Sequence, residues 1–196
     1  DIFSQLTKDF SLYTIARLAP AVVSVVALAV FTHVFPPRAY GRYALTMSMA
    51  TVIATVAYSW LGSSVVRFEP ETDDAVLLGN TAGFGISITA ILSVGGLIGY
   101  VLAADWLGAY RPFYLAGLAF VIGHGLFSIL YDLLRARLES RAVVWFEFIR
   151  SFGGLILAFF LALYVIGDIV GWLWGAAIGS FVTAVLITRV TFKEDY

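Results

Sequence analysis

Long apolar runs constrain this chain more than any other feature. Six of them occur between residues 11 and 190, and each approaches or exceeds the ~20 mostly apolar residues that a helix needs to cross a bilayer. A membrane β-barrel would instead alternate apolar and polar residues over ~10-residue segments. The sequence therefore predicts an all-α integral membrane protein, a bundle of six transmembrane helices. The predicted spans are 11–35, 40–64, 77–103, 113–134, 142–166 and 169–190.

The composition leaves no room for a soluble domain. Of the 196 residues, 61% are hydrophobic and only 13% are charged, whereas a soluble domain carries roughly 25% charged residues. The breaks between the runs are short, so we expect residues 1–196 to form a single membrane domain. The net charge of −1 argues against a nucleic-acid partner. Recognisable catalytic motifs are lacking, so we expect no enzymatic activity, no cofactor and no metal site.

The distribution of Lys and Arg predicts the orientation of the bundle. Cytoplasmic ends of membrane spans carry an excess of these residues. With the N-terminus inside, nine of them lie at the inner side and three at the outer side. We therefore predict a multi-pass protein of the cytoplasmic (inner) membrane with both termini in the cytoplasm. The inner set is Lys8, Arg17, Arg67, Arg135, Arg137, Arg141, Arg150, Arg189 and Lys193, and the outer set is Arg38, Arg42 and Arg111.

Two arginines lie inside the predicted spans. Arg17 lies about 9 Å and Arg150 about 12 Å from the start of their helices, at 1.5 Å per residue. A cation at the bilayer centre costs ~2.5–3.5 kcal/mol on insertion scales. Arg17 could extend its side chain to the interface, and Arg150 could pair with Glu147 one turn earlier. A role in substrate binding is the alternative reading for both arginines.

Polar stripes on the predicted helices indicate which faces avoid lipid. On the fourth span His124, Ser128, Tyr131 and Arg135 share a face with Asp132 at its margin, and this mixture favours cavity lining. Asp132 can also pair with Arg135. Together with Glu147, residues His124, Tyr131 and Asp132 are candidates for cavity lining or ion coupling. The hydroxyl stripe of the second span favours helix packing, with cavity lining as the alternative; it consists of Ser48, Thr51, Thr55 and Ser59, with Gly62 on the same face.

Proline and glycine give two further predictions. Pro20 frees a backbone carbonyl in the first span and bends the helix, either as a static kink or as a hinge beside Arg17. In and before the last span a glycine recurs every fourth residue, which makes a ridge without side chains against which another helix can pack closely. The ridge consists of Gly167, Gly171, Gly175 and Gly179.

Several short motifs resemble those of a known family. They are Phe10-Ser11-Leu12-Tyr13, the turn from Pro37 to Leu45, the segment from Gly62 to Phe68, and the basic loop from Arg135 to Arg141. In this order they resemble the N-terminal half of polysaccharide-biosynthesis flippases. These are O-antigen-type exporters of lipid-linked oligosaccharides in the multidrug/oligosaccharidyl-lipid/polysaccharide (MOP) superfamily. The similarity runs along nearly all of the chain.

The resemblance implies a two-lobed transporter that works by alternating access. This chain would be one lobe, and its partners would be the bilayer, the lipid-linked oligosaccharide and a second lobe in the same polypeptide or in another subunit. By position, Arg17 matches a cavity arginine of the first helix and Arg67 a motif arginine of the second. Together with Arg150 they would bind the lipid pyrophosphate, since a guanidinium binds phosphate oxygens bidentately.

The predicted function is therefore the flipping of an isoprenoid-(pyro)phosphate-linked oligosaccharide across the cytoplasmic membrane. One alternative is a small-cation or drug antiporter of the same superfamily, which needs a carboxylate deep in this lobe. Another is a membrane scaffold subunit of a glycan-assembly complex that transports nothing. In that case the glycine ridge would be a partner surface.

Overall fold

The computed structural model describes residues 22, 25, 26, 28–69 and 74–191. Throughout these residues the only regular secondary structure is helical. The elements in chain order are α1 (28–34), α2 (Pro37–Phe68), α3 (Asp74–Leu102), α4 (Ala104–Leu107), a 3₁₀ turn (Gly108–Tyr110), α5 (Arg111–Ala136), α6 (Ser140–Phe148), a π-helical turn (Ile149–Gly153), α7 (Gly154–Phe160), a second π-helical turn (Leu161–Val165) and α8 (Val170–Thr191).

Five stretches of the described chain are helical, long and apolar enough to cross a membrane. They match the predicted spans from 40–64 onward with ends shifted by up to four residues, except that the third stretch begins at Ala104 rather than at 113. The expectation of an all-helical chain is therefore confirmed for the described residues, and their long apolar helices are compatible with a membrane bundle. The predicted first span lies mainly outside the described residues, as do both termini. The five stretches are Pro37–Phe68, Val76–Leu102, Ala104–Ala136, Arg141–Val165 and Val170–Val190.

Proline and glycine set the helix ends. Pro37 starts α2 and Pro112 lies in the first turn of α5, where a missing N–H costs nothing and the fixed φ suits a helix. Gly108, with φ +45°, separates α4 from α5, and Gly167, with φ +67°, lies in the turn before α8. The alternating directions place the starts of α2, α5 and α8 at one end of the bundle, which we call the Pro37 end. The opposite end is the Phe68 end.

Helix α5 is the centre of the bundle. It packs most extensively against α2 on one side and α8 on the other, and α8 in turn packs against α7. Its buried side chains include Phe113, Phe120, Phe127 and Leu133, which contribute to the core from the Pro37 end to the Phe68 end. By contrast, only 6% of the most apolar window of α3 is buried, so this helix lies at the periphery.

A tyrosine joins α2, α3 and α5 in the middle of the bundle. The Tyr58 side chain is fully buried, and its ring lies directly against Gly125, where a Cβ would collide with it. The Thr89 Oγ1 donates to the Gly85 carbonyl, so the Tyr58 Oη donates to the Thr89 Oγ1 at 3.0 Å. The buried Tyr58 hydroxyl therefore has a hydrogen-bond partner.

The glycines of α8 lie against α7 and the helical turns beside it. A Cβ at Gly171 would meet the backbone of Ala162, one at Gly175 that of Ala158, and one at Gly179 that of Gly154. The two helix backbones therefore approach closely, as expected for small residues at a membrane-helix interface. Gly167 departs from the predicted ridge, because it precedes α8 and its positive φ serves the turn.

Candidate functional site

A cavity of about 490 Å³ lies among α1, α2, α5, α8 and the α6–α7 segment. Aromatic side chains line the part toward the Pro37 end: Tyr40 and Tyr43 from α2 and Trp172 from α8. Thr51 of α2 and His124 of α5 line the deeper part. The cavity therefore changes from an aromatic region to a polar floor, and we call it the central cavity.

Arg150 contributes the charge of this floor. It follows Arg141, the first residue of its membrane-length helix, by about 14 Å at 1.5 Å per residue, which places it near the middle of Arg141–Val165. Its side chain is 22% exposed and that of Glu147 is 7% exposed. A mid-span cation is thus held between the bundle interior and the central cavity.

Glu147 neutralises Arg150 within the same helix. The Arg150 Nε donates to the Glu147 Oε2 at 3.3 Å, and the Arg150 Nη2 donates to the Glu147 Oε1. The Ser151 Oγ donates to the same Oε1 at 3.3 Å. Both carboxylate oxygens therefore accept hydrogen bonds, which offset part of the free-energy cost of burying this charge pair.

Local helix geometry and an aromatic ring position the guanidinium. Arg150 and Ser151 lie in the π-helical turn Ile149–Gly153, a local widening of the helix that occurs often at functional sites. The Arg150 Cζ lies 4.9 Å from the centroid of the Phe127 ring on α5. This cation–π contact orients the guanidinium beside α5.

His124 adds a polar group with unused hydrogen-bonding capacity. Its ring stacks on Phe120, with centroids 5.1 Å apart and planes 8° apart. The Nδ1 is buried and has no hydrogen-bond partner among the described residues. His124 also lines the central cavity, although its Nδ1 is buried beneath the cavity surface. The floor therefore combines the Arg150 guanidinium with an imidazole ring and with hydroxyls that already donate within the protein.

The hydroxyl stripe of α2 is exposed rather than packed. Ser48, Thr51, Thr55 and Ser59 all lie on the surface, and the Thr51 and Thr55 hydroxyls donate to backbone carbonyls four residues earlier at 2.8 Å. Among the described residues no helix covers these four hydroxyls, and the prediction of helix packing stays a prediction for them, whereas Gly62 of the same stripe packs against Asp132 of α5. Thr51 lines the central cavity, so the stripe continues from the cavity along the outside of α2.

Asp132 and Tyr131 of α5 lie outside the central cavity as the described residues define it. The Asp132 Oδ1 accepts a hydrogen bond from the Arg135 Nη1 at 3.2 Å, and its carboxylate packs against Gly62 of α2. The Tyr131 ring contacts Phe127, with centroids 5.3 Å apart. The predicted lining face of α5 is thus divided, with only His124 at the cavity.

The arginines predicted to bind phosphate are not all brought together. Arg67 is exposed at the Phe68 end of α2, with its Cζ 5.5 Å from the Phe68 ring centroid. Among the described residues that line the central cavity, Arg150 is present and Arg67 is not. Arg67 ends its helix while Arg150 lies at mid-span, so the two cations lie at different depths. Arg17 and Pro20 lie outside the described residues, and their predicted roles stay predictions.

Sequence reasoning missed the aromatic part of the cavity. Tyr40, Tyr43 and Trp172 come from two helices that are distant in the chain, and each is equally typical of a membrane interface. By contrast, the sequence does indicate that four residues of the fifth span share a face, because they lie at i, i+4, i+7 and i+11. They are Glu147, Ser151, Gly154 and Ala158. The last three of these residues line the central cavity.

No protein-family model, curated protein or solved structure matches this chain.

Proposed function

We propose that this chain is one lobe of a transporter that flips an isoprenoid-pyrophosphate-linked oligosaccharide across the cytoplasmic membrane, with its N-terminus inside. The observation that carries the proposal is the position of Arg150, a cation at mid-span that lines a cavity. Charges inside membrane spans are costly and mark substrate or ion pathways. The motifs that resemble those of polysaccharide flippases supply the class of substrate.

The ion pair between Arg150 and Glu147 suits an anionic ligand that binds reversibly. Glu147 accepts hydrogen bonds from two nitrogens of the guanidinium, and the two opposite charges balance each other. A phosphate presents several anionic oxygens and can bind a guanidinium bidentately. It can therefore compete with Glu147 for Arg150 at the floor of the central cavity, which His124 and Ser151 also line.

The exposed polar groups favour a second lobe. Ser48, Thr55 and Ser59 lie on the surface of a membrane-length helix, where polar side chains usually face a protein partner or a water-filled pathway rather than lipid. A second lobe against this face would enclose the hydroxyl stripe and extend the central cavity. This arrangement is the one that alternating access requires, and the lone lobe would not complete a transport cycle.

The two alternatives fit the cavity less well. A small-cation or drug antiporter needs a carboxylate that a cation can reach, but Glu147 is 6% exposed and both its oxygens accept hydrogen bonds from neighbours. A scaffold subunit would have no need for a paired cation at mid-span facing a cavity. We therefore propose transport of an anionic lipid head group, and no enzymatic activity.

Glycan export by the full-length protein tests this function. We expect Arg150→Gln to abolish export of the surface glycan in cells that lack the chromosomal copy, because the phosphate loses its mid-span cation. Because Arg150→Gln leaves the Glu147 carboxylate unpaired, the double variant Glu147→Gln/Arg150→Gln is measured as well. It removes both charges and should reach normal membrane levels while still failing to export.

Arg135→Gln is the matched control. Arg135 also pairs with a carboxylate three residues earlier, but its side chain is 50% exposed and does not line the central cavity. We expect export near the wild-type rate for this variant. Export at the wild-type rate by the double variant would overturn the proposal, and drug resistance without glycan export would favour the antiporter.

A further inference from the structure

A second cavity lies on the opposite side of α2 from the central cavity. It opens between α2, α3 and α5 and has a volume of about 770 Å³. Its walls include Met49 and Ile53 of α2, Ile91 of α3 and Leu118 of α5. We call it the lateral groove. Since Met49, Ile53 and Ile91 are all exposed on membrane-length helices, hydrocarbon from the bilayer can reach the groove.

The length of the lateral groove matches one leaflet. Along α5 its lining extends from Tyr110, just before the helix starts, to Val121, which is about 16 Å at 1.5 Å per residue. Half of the ~30 Å hydrocarbon core of a bilayer is about 15 Å. A lipid chain lying along the groove would therefore extend from the interface to the bilayer centre.

Glycines of α3 form one wall and leave space in it. The Tyr114 Oη donates to the Gly96 carbonyl at 3.0 Å, and a Cβ at Gly96 would meet the Leu118 side chain, so α3 and α5 are in close contact here. The neighbouring Gly95 also lines the groove, yet a Cβ there would have nothing within 4 Å. A side chain at Gly95 therefore has room at the groove wall.

A cation, Arg111, lies next to the interfacial end of the lateral groove but is not one of its lining residues. Arg111 starts α5 beside Tyr110 and Tyr114, which line this end. Its Nε donates to the Tyr100 Oη at 3.0 Å, and its Cζ lies 5.4 Å from the centroid of the Tyr100 ring. Among the described residues no acceptor binds its two Nη atoms. The guanidinium is therefore held in place with its outer donors unused.

We propose that the lateral groove binds a membrane phospholipid, with one acyl chain along the groove and the phosphate on the Nη atoms of Arg111. Apolar walls of one-leaflet length fit the chain, and a basic group between helices at the interface fits the head group. Tyr100 and Tyr114 are typical interfacial residues, and they fix the guanidinium and the α3–α5 contact. This site is independent of the flippase function, since it shares no residue with the central cavity.

Lipid binding by the delipidated full-length protein in detergent tests this site. The probes are a phosphatidylglycerol and the diacylglycerol with the same chains, and bound lipid is counted by native mass spectrometry. We expect Gly95→Leu to weaken phosphatidylglycerol binding because its side chain fills the groove. The matched control is Gly83→Leu, also an exposed α3 glycine with nothing within 4 Å of a Cβ but outside the groove lining, and it should bind as the wild type does.

Arg111→Gln tests the head group separately. We expect the wild type to prefer phosphatidylglycerol over diacylglycerol by about tenfold or more, the size of a charged hydrogen bond, and the variant to lose this preference. Arg111 is exposed, so the variant should fold even if Gly95→Leu does not. Unchanged phosphatidylglycerol binding by a folded Gly95→Leu, or an unchanged preference in Arg111→Gln, would overturn the proposal.

Discussion

Arg150 and Glu147 form an ion pair within one helix, near the middle of a membrane-length segment and at the floor of a cavity. The carboxylate lies on the buried side, 7% exposed, and the guanidinium lies on the cavity side, 22% exposed. The carboxylate thus holds the cation at the place where a ligand would meet it. Stability depends on this pair, and so does binding in the function that we propose. The double variant separates the two effects, because it removes the binding cation without leaving an unpaired buried charge.

Removing Glu147 alone should destabilise the protein. In Glu147→Gln the Arg150 charge, which is only 22% exposed, loses its partner, and breaking a buried pair from one side costs up to about 3–5 kcal/mol. We expect a clear drop in the apparent Tm of the purified protein in detergent. In Glu147→Gln/Arg150→Gln no unpaired charge remains, so most of the loss should be recovered. If the double variant is as unstable as the sum of the single variants, the pair has no energetic coupling.

Asp132→Asn provides the comparison for a pair that is more exposed than Glu147 and Arg150. Asp132 and Arg135 have the same i,i+3 spacing, but their side chains are 23% and 50% exposed. Exposed ion pairs contribute ~0–1 kcal/mol, so we expect a smaller decrease in Tm than for Glu147→Gln. A decrease in Tm as large as that of Glu147→Gln would show that side-chain burial does not determine how strongly the loss of a pair destabilises the protein.

The hydrogen bond between Tyr58 and Thr89 should contribute measurably to the α2–α3 contact. Tyr58→Phe keeps the buried ring and removes the donor to the Thr89 Oγ1. Interhelical hydrogen bonds in membrane proteins average ~0.6 kcal/mol and reach ~1.7 kcal/mol, so we expect a loss in that range. A double-mutant cycle with Thr89→Val measures the coupling, and strictly additive losses would assign the effect to packing instead.

The sequence is sufficient to predict the helices but not how they are rotated. Long apolar runs locate the spans because the backbone must satisfy its own hydrogen bonds in lipid, and Pro37, Pro112, Gly108 and Gly167 show where helices begin and end. The ion pair of Glu147 and Arg150 follows from its i,i+3 spacing. These features are local, so no knowledge of neighbouring helices is needed.

The features that sequence reasoning misses depend on contacts between distant segments. His124 and Tyr131 share a face of α5, so which of them lines the central cavity depends on how deep along α5 the other helices let the cavity extend. Arg67 matches a motif, but its position at the end of α2 separates it in depth from Arg150. The lateral groove likewise depends on where Gly96 lets α3 approach α5.

Adding one methyl group at Gly175 should disturb the contact between α7 and α8. A Cβ there would collide with the backbone of Ala158, which cannot rotate away. Overpacking of this kind costs about 1–3 kcal/mol, so Gly175→Ala should lower the apparent Tm. Gly153→Ala is the control, because Gly153 has nothing within 4 Å of a Cβ and should gain up to about 1 kcal/mol of helix propensity. Equal Tm values for the two variants would contradict the close backbone contact.

Single cysteines would determine the orientation of the bundle, because this chain contains none of its own. Trp106 is 92% exposed in the connection between α3 and α5, and Leu138 is 80% exposed in the turn between α5 and α6. The Lys and Arg distribution predicts that the first lies outside and the second in the cytoplasm. In intact cells a membrane-impermeant maleimide should therefore label Trp106→Cys, and Leu138→Cys only after the membrane is permeabilised. The reverse pattern would invert the bundle and place the aromatic part of the central cavity at the cytoplasmic side, where a cytoplasmic substrate would enter.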